Sequence, residues 1–260
     1  MLTIEPIRAF SDNYIWLLTD TANNHCFVVD PGDAEPVLEV LAERQLTLAG
    51  ILVTHHHFDH VGGLPLLREH TSAVVYGPHN PAIEGVDHRL AEGDTLTVLG
   101  LEFSVLAVPG HTMDHIAYYC AGDSEQPPLL FCGDTLFAGG CGRMFEGTAP
   151  VLHGSLAKLA ALPGSTRVYC AHEYTQANLR FARAVEPDNE ALAERAREVA
   201  ALRATDDPTV PSELAQERAT NPFLRCAEPA VAATLHSQGK WQGEKPEEVF
   251  AALRTWKDSF

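Results

Sequence analysis

Thr54-His55-His56-His57-Phe58-Asp59-His60 packs four histidines and an aspartate into seven residues. The segment follows residues 50–53, a short strand-like run. Open α/β sheets place their sites just beyond such strand ends. In an extended turn the side-chain period of two points His55 and His57 the same way. Asp59 and His60 fall at the start of the next helix and face elsewhere. Imidazole and carboxylate suit zinc, iron or manganese. The spacing offers two ligand pairs rather than one closed tetrahedron. A histidine-rich surface tract is the bland alternative, and the H-x-H-x-D-H order at a strand end argues against it.

Three other segments share this plan. Residues 103–108 are apolar and run into Pro109-Gly110-His111-Thr112. Residues 129–132 run into Gly133-Asp134-Thr135, and residues 168–170 into Ala171-His172-Glu173. Four strands that each end in a metal-ligand side chain imply one shared site at one sheet edge. His55, His57, Asp59, His60, His111, Asp134 and His172 make seven candidate ligands. One metal takes three or four protein ligands, so seven suit two metals. Asp134, with two oxygens, is the natural bridge. Two ions about 3.5–4 Å apart can hold a bridging hydroxide and polarise a carbonyl oxygen, which is hydrolytic machinery. No cysteine occupies these positions, which argues against a purely structural zinc site.

The other histidines carry less. His25, His70, His79, His88, His153 and His236 show no partner pattern and read as surface or packing groups. His56 points away from its neighbours by alternation. His115 either orients the site or simply packs. Asp114 is expected to be solvated. Gly62-Gly63 is expected to allow close backbone approach behind the metal loop.

Farther out, the 260 residues suit one large domain or two smaller ones. Hydrophobic residues make up 45% and charged residues 20%, which excludes disorder as the dominant state. Lys and Arg number 18 against 35 Asp and Glu, a net charge of −17. That disfavours binding to nucleic acid or anionic membrane through the overall field. No apolar run approaches the ~18 residues of a membrane span. The first 14 residues do not read as a secretory signal. Cys26, Cys120, Cys132, Cys141, Cys170 and Cys226 form no C-x-x-C pair and read as reduced structural thiols of a cytoplasmic protein.

Strand-like runs at 15–18, 26–29, 50–53, 73–76, 103–108, 116–120, 129–132 and 168–170 alternate with helical stretches at 35–44, 61–69 and 151–162. Beyond about residue 175 the chain is rich in Ala, Glu, Arg and Leu, strong helix formers. Helices are expected over 175–185 and 189–204, with further starts at Ser212-Glu213 and Pro246-Glu247-Glu248. The expected organisation is a mixed α/β catalytic domain over 1–173 and a helical domain over 174–260.

On these residues the chain resembles the metallo-β-lactamase superfamily and, within it, the glyoxalase II (hydroxyacylglutathione hydrolase) family in its bacterial form. Supporting segments span the chain: residues 10–14 (FSDNY), 54–63 (THHHFDHVGG), 109–112, 133–137 (GDTLF), 139–148 (GGCGRMFEGT), 171–175 (AHEYT), 221–225 (NPFLR) and 254–260 (RTWKDSF). The resemblance implies an α/β (α+β) four-layer αββα sandwich followed by a smaller α-helical, glutathione-binding domain. It implies that His55, His57 and His111 bind one metal ion, that Asp59, His60 and His172 bind a second, and that Asp134 bridges. Two divalent ions follow, zinc first, with iron or manganese as alternatives. The implied reaction is hydrolysis of the thioester S-D-lactoylglutathione to glutathione and D-lactate, the second step of methylglyoxal detoxification. Asp59 and Asp134 would serve catalysis with a metal-bridging hydroxide.

The implied substrate is an anionic small molecule, awkward for a chain at −17, so a local cationic pocket is required. Arg143, Tyr174, Arg254 and Lys257 match family positions that contact glutathione. Arg254 and Lys257 lie one helical turn apart, and a solvated helix face is the alternative reading for that pair. Three positions depart from the family pattern. Phe145 stands where some members, notably animal ones, have tyrosine. Arg143 replaces their lysine, which changes the geometry of the charge, and Asp114 stands where glycine is common. These bear on substrate affinity and leave the metal ligands intact.

The main rival is a mononuclear-iron persulfide dioxygenase of the same fold, which uses two His and one Asp and lacks the basic helical tail. A nuclease of the superfamily fits poorly with −17. A non-catalytic metal binder fits poorly with a full ligand set. A monomer is expected.

Overall fold

The computed structural model describes residues 2–124, 126–243 and 245–260. The chain divides into two compact units. The first comprises residues 1–107 and 114–133, the second residues 108–113 and 134–260.

The first unit opens with the hairpin β1 (Leu2–Ala9) and β2 (Asn13–Asp20). β2 pairs antiparallel with β3 (His25–Val29), and the sheet continues in parallel through β4 (Thr47–Leu52), β5 (Val74–Pro78) and β6 (His88–Leu90). β2 reads NYIWLLTD and is buried almost throughout, as a strand covered on both faces must be. β1 alternates in burial and carries Pro6. Proline lacks the ladder N–H and is confined to edges, and β1 is an edge strand of this sheet, which the runs read from the sequence did not include.

One face of this sheet carries Ile15, Leu17, Val28, Ile51, Val53 and Val75. It packs against Val37 and Leu41 of α1 (Glu35–Arg44) and Leu64 and Leu67 of α3 (Leu64–His70). Trp16 and Leu18 alternate to the other face and are equally buried. A second, antiparallel group covers that side: β7 (Thr95–Val98), β8 (Leu101–Ala107), β9 (Ile116–Cys120) and β10 (Leu129–Gly133). Tyr118 of β9 donates its hydroxyl to Val53 O at 2.8 Å, and the Ile116 amide donates to Thr54 O at 2.9 Å. These bonds tie β9 to the end of β4.

The helix expected over 61–69 is divided. A single turn, α2 (Phe58–Val61), ends at Gly62, and α3 begins at Leu64. Gly63 donates to Pro31 O at 3.0 Å, and a Cβ at Gly63 would lie 2.5 Å from the same oxygen. The expected close approach at this glycine pair is therefore real, and it breaks the helix.

The second unit contains the hairpin β11 (Leu136–Phe137) and β12 (Gly140–Cys141), helix α4 (Ala149–Ala160), and the pair β13 (Arg167–Cys170) and β14 (Ser212–Glu213). Helices α5 (Thr175–Val185), α6 (Glu190–Ala204), α7 (Leu214–Thr220), α8 (Pro229–Ser237) and α9 (Pro246–Asp258) follow. Asn189 caps α6 by accepting from the Leu192 amide at 3.0 Å. Leu179, Ala182, Leu192 and Val199 knit α5 to α6. Phe181, Phe223 and Phe250 form an aromatic core, with ring centroids 5.8–5.9 Å apart along the chain of contacts. Ser212-Glu213, expected to start a helix, instead pairs with Arg167 and Val168 as β14, and the helix begins one residue later.

Among the described residues no helix is long and apolar enough to cross a membrane. All six cysteines are free and buried. Burial pushes the thiols of Cys26, Cys170 and Cys226 up to about 12 and that of Cys141 up to about 11. Because the thiolate is the reactive form, these four thiols should resist iodoacetamide in the native protein at pH 7.5 and alkylate promptly in urea, as read by mass spectrometry. Native-state labelling at any of them within minutes would contradict the packing.

Candidate metal centre

In the first unit the metal loop is held from below by one carboxylate. Asp30, at the end of β3, is buried and adopts a left-handed φ of 54°. Its Oδ1 accepts from the Thr54 amide at 2.7 Å and its Oδ2 from the Thr54 hydroxyl at 2.8 Å. The same Oδ2 stands 3.1 Å from His60 Nδ1. Thr54 Oγ1 has one proton and gives it to Asp30, so it accepts from His55 Nδ1 at 3.0 Å. That relay fixes the His55 tautomer and leaves Nε2 as the lone-pair nitrogen. His60 is fully buried between the two carboxylates, Nδ1 toward Asp30 and Nε2 toward Asp59.

The resulting donor atoms come in two pairs. His55 Nε2 and His57 Nδ1 are 3.1 Å apart. His60 Nε2 and Asp59 Oδ2 are 3.4 Å apart. Asn13 Nδ2 donates to that same Asp59 oxygen at 2.9 Å. Gly32 backs the loop, since a Cβ there would fall 1.9 Å from Asp59 O.

His115 is buried and stacks on His55, with centroids 4.5 Å apart and planes 15° apart, and its Nδ1 lies 3.1 Å from Ile116 O. It packs directly against His55. Asp114 departs from expectation. It is not solvated but binds His56 Nδ1 at 2.9 Å through one oxygen and Asn80 Nδ2 at 2.8 Å through the other. His56 turns away from the donor pairs, as alternation requires, and finds its partner there.

In the second unit Asp134 is the focus. Its Oδ2 stands 3.4 Å from His111 Nε2 and its Oδ1 3.3 Å from His172 Nε2. His111 donates from Nδ1 to Arg143 O at 2.8 Å, so its Nε2 is the lone-pair nitrogen. His172 lies flat against Tyr174, centroids 4.7 Å apart and planes 4° apart.

Asp134 opens onto a cavity of about 610 Å³ also lined by His111, Arg143, Phe145, Tyr174, Arg254 and Lys257. Phe145 meets His111 edge-on at 5.2 Å. Arg254 is buried, which disposes of the solvated-face reading. Its Nη1 donates to Cys141 O at 3.0 Å, its Nη2 donates to Asp258 at 2.9 Å, and its guanidinium lies 5.2 Å over the Phe223 ring. Lys257 donates to Ala177 O at 3.3 Å. Its ammonium is pushed down to about 8, first by burial and then by Arg254, Arg180 and Arg143.

The loop behind Asp134 is clamped by helical side chains. Asn178 donates to Ala138 O at 3.1 Å, and Asn221 donates to Gly140 O at 2.9 Å and Phe137 O at 3.2 Å. The Gly139 amide donates to buried Glu217 at 2.8 Å, and Glu217 pairs with buried Arg195. This gives the NPFLR segment its work: Asn221 holds the loop and Phe223 supports Arg254.

Sequence reasoning missed Asp30 and Asn13. The signal for Asp30 was present, because the apolar run 26–29 ends in an aspartate just as 129–132 leads to Asp134. Asn13 lies in the FSDNY segment that supports the resemblance, but nothing in that segment points to Asp59.

Comparison with known proteins gives two family matches. Residues 9–172 match the metallo-beta-lactamase superfamily, and residues 173–260 match the hydroxyacylglutathione hydrolase C-terminus. A protein of Pseudomonas aeruginosa strain LESB58 named hydroxyacylglutathione hydrolase is 56% identical over 261 residues, with both chains fully covered. One of the same name from Pseudomonas putida KT2440 is 55% identical over 266 residues, again with full coverage of both. Among solved structures, ETHE1 from Myxococcus xanthus superposes with a TM-score of 0.64 at 27% identity, covering 100% of this chain and 99% of that one.

Removing the anchor below the loop should be costly. Asp30→Ala leaves the Thr54 amide and hydroxyl without their acceptor and should lower unfolding stability by about 2–4 kcal/mol, measured by urea denaturation. A loss below about 0.5 kcal/mol would mean that the carboxylate does not organise the loop.

Proposed function

The chain belongs to the hydroxyacylglutathione hydrolase family of the metallo-β-lactamase superfamily, and from that premise we propose that it hydrolyses S-D-lactoylglutathione to glutathione and D-lactate. The observation that carries this is Asp134, whose two oxygens each face the Nε2 of a different histidine at 3.3–3.4 Å. Ligands around one ion of ~2.1 Å bond length stand at about this separation. A carboxylate so flanked fits between two ions and has little other use for the arrangement.

His55, His57 and His111 would hold one divalent ion, and Asp59, His60 and His172 the other, with Asp134 shared. The all-nitrogen-and-oxygen donor set fits zinc, iron or manganese, and zinc is the first choice for a hydrolase. Bound there, divalent ions acidify water and polarise a carbonyl oxygen.

The chain's own residues do the rest. The Thr54–Asp30 relay fixes the His55 tautomer, and Arg143 O fixes that of His111. Asp59 can accept a hydrogen bond from the attacking oxygen and orient it. Arg143, Arg254 and Lys257 supply local positive charge to the glutathione carboxylates despite the net −17. Arg254 Nε is buried and has no hydrogen-bond partner among the described residues, an unmet donor suited to an anion. Tyr174 forms one wall. Phe145, lacking a hydroxyl, offers only its ring. The glutathione sulfur departs as a thiolate of pKa about 8.5–9, so no strong side-chain acid is required.

We assign residues 1–173 as the catalytic domain and 174–260 as the substrate-binding domain. Reduced thiols and the small anionic substrate favour a cytoplasmic monomer. The single-iron dioxygenase alternative uses two His and one Asp and leaves the remaining ligands without a role.

Loss of S-D-lactoylglutathione thioester absorbance tests the assignment. Turnover should vanish on chelation and return with metal, with about two ions bound per chain. Unimpaired turnover by metal-free protein, or none at full occupancy, would overturn it. The cationic wall should also show in the pH dependence. Lys257 carries its charge below about 8 and loses it above, so KM should rise as pH climbs through 8 while Lys257→Met gives a high, flat KM. A wild-type KM flat from pH 6.5 to 9.5 would remove Lys257 from binding.

A further inference from the structure

The Phe10–Asn13 turn joins β1 to β2, 46 residues from Asp59 in sequence. Its Asn13 is buried at 7% exposure. The Asn13 side-chain amide donates to Asp59 Oδ2 at 2.9 Å and reaches Asp59 O at 3.4 Å. One amide therefore reads both the side chain and the main chain of the same residue. Asp59 Oδ2 is also the oxygen that stands 3.4 Å from His60 Nε2. Asp59 is held from behind as well, because Gly32 leaves no room for its main chain to retreat. At the other end of the turn, Phe10 lies 6.5 Å from Phe58, centroid to centroid, although both rings are largely exposed. The turn is thus seated on α2 at two points.

We propose that Asn13 is a positioning residue that sets the affinity of the Asp59–His60 ion, leaving the ion on His55 and His57 unaffected. The inference rests on the two-ion reading above. The physical reason is selectivity of contact. Asn13 touches only Asp59 among the candidate ligands, whereas Asp30 and Thr54 support His60 and His55. A carboxylate at 38% side-chain exposure samples several rotamers unless a donor selects one. Outer partners that orient a ligand in this way typically contribute about 10–100-fold to metal affinity.

The test is zinc titration of metal-free wild type, Asn13→Ala and Asn13→Leu against a chromophoric chelator, with bound zinc counted by mass spectrometry. Leucine keeps the volume and removes the donor, so it serves if alanine loosens the turn. Wild type should bind two equivalents. In both variants one equivalent should hold its wild-type affinity and the other should weaken by about 10–100-fold. Two unchanged affinities, or two weakened equally, would overturn the role. A wild type that binds no zinc would instead overturn the two-ion reading, and the inference with it.

Discussion

The histidine loop of the first unit depends on a buried carboxylate outside the candidate ligand set. Asp30 ends β3 in a left-handed conformation that an L-residue adopts at a cost. From there it takes two donors from Thr54, and its Oδ2 stands 3.1 Å from His60 Nδ1. A buried carboxylate left without donors is expensive, so the loop from Thr54 to His60 is driven into the one shape that supplies them. That shape then dictates which nitrogen of His55 carries the lone pair.

The second unit solves a different problem. A carboxylate flanked by two histidines, beside three cations, would fall apart if its loop could relax. Asn178, Asn221, Glu217 and Arg254 prevent this by bonding to the loop's own backbone groups. The helices after residue 174 are therefore part of the site's foundation as well as the wall of the cavity. The cavity also gathers Arg143, Arg254 and Lys257 on one wall of an otherwise acidic chain. Burial first, and then Arg254, Arg180 and Arg143, lower the Lys257 ammonium, and a bound anion would offset that cost.

Much of this was legible in the residues. Strand ends followed by His or Asp located the candidate ligand types, although only β4 is a parallel strand and β8, β10 and β13 pair antiparallel. The helices 35–44 and 175–185 were read at their observed bounds, since apolar spacing and clean breaks coincide there. Other features were not legible. β1 hid behind Pro6, whose meaning depends on the strand lying at an edge. The helix near residue 61 split because Gly62-Gly63 meets Pro31, a contact between residues far apart in sequence. Asp114 was misread as solvated because its partners, His56 and Asn80, come from separate strand ends. Asn13 was invisible for the same reason. Its role exists only once a hairpin brings it to Asp59.

β1 has a consequence beyond the site. It borders the first sheet, and the opposite border, β6, is only three residues long. A sheet margin with unpaired amides and carbonyls is a template on which another chain can add a strand. Pro6 removes one donor from the middle of that margin, and Glu5 and Arg8 flank it with opposite charges. Neither border offers a neighbouring molecule a long, regular row of bonds. The proline that obscured the first strand in the sequence is thus also what interrupts the outer row of donors on that border.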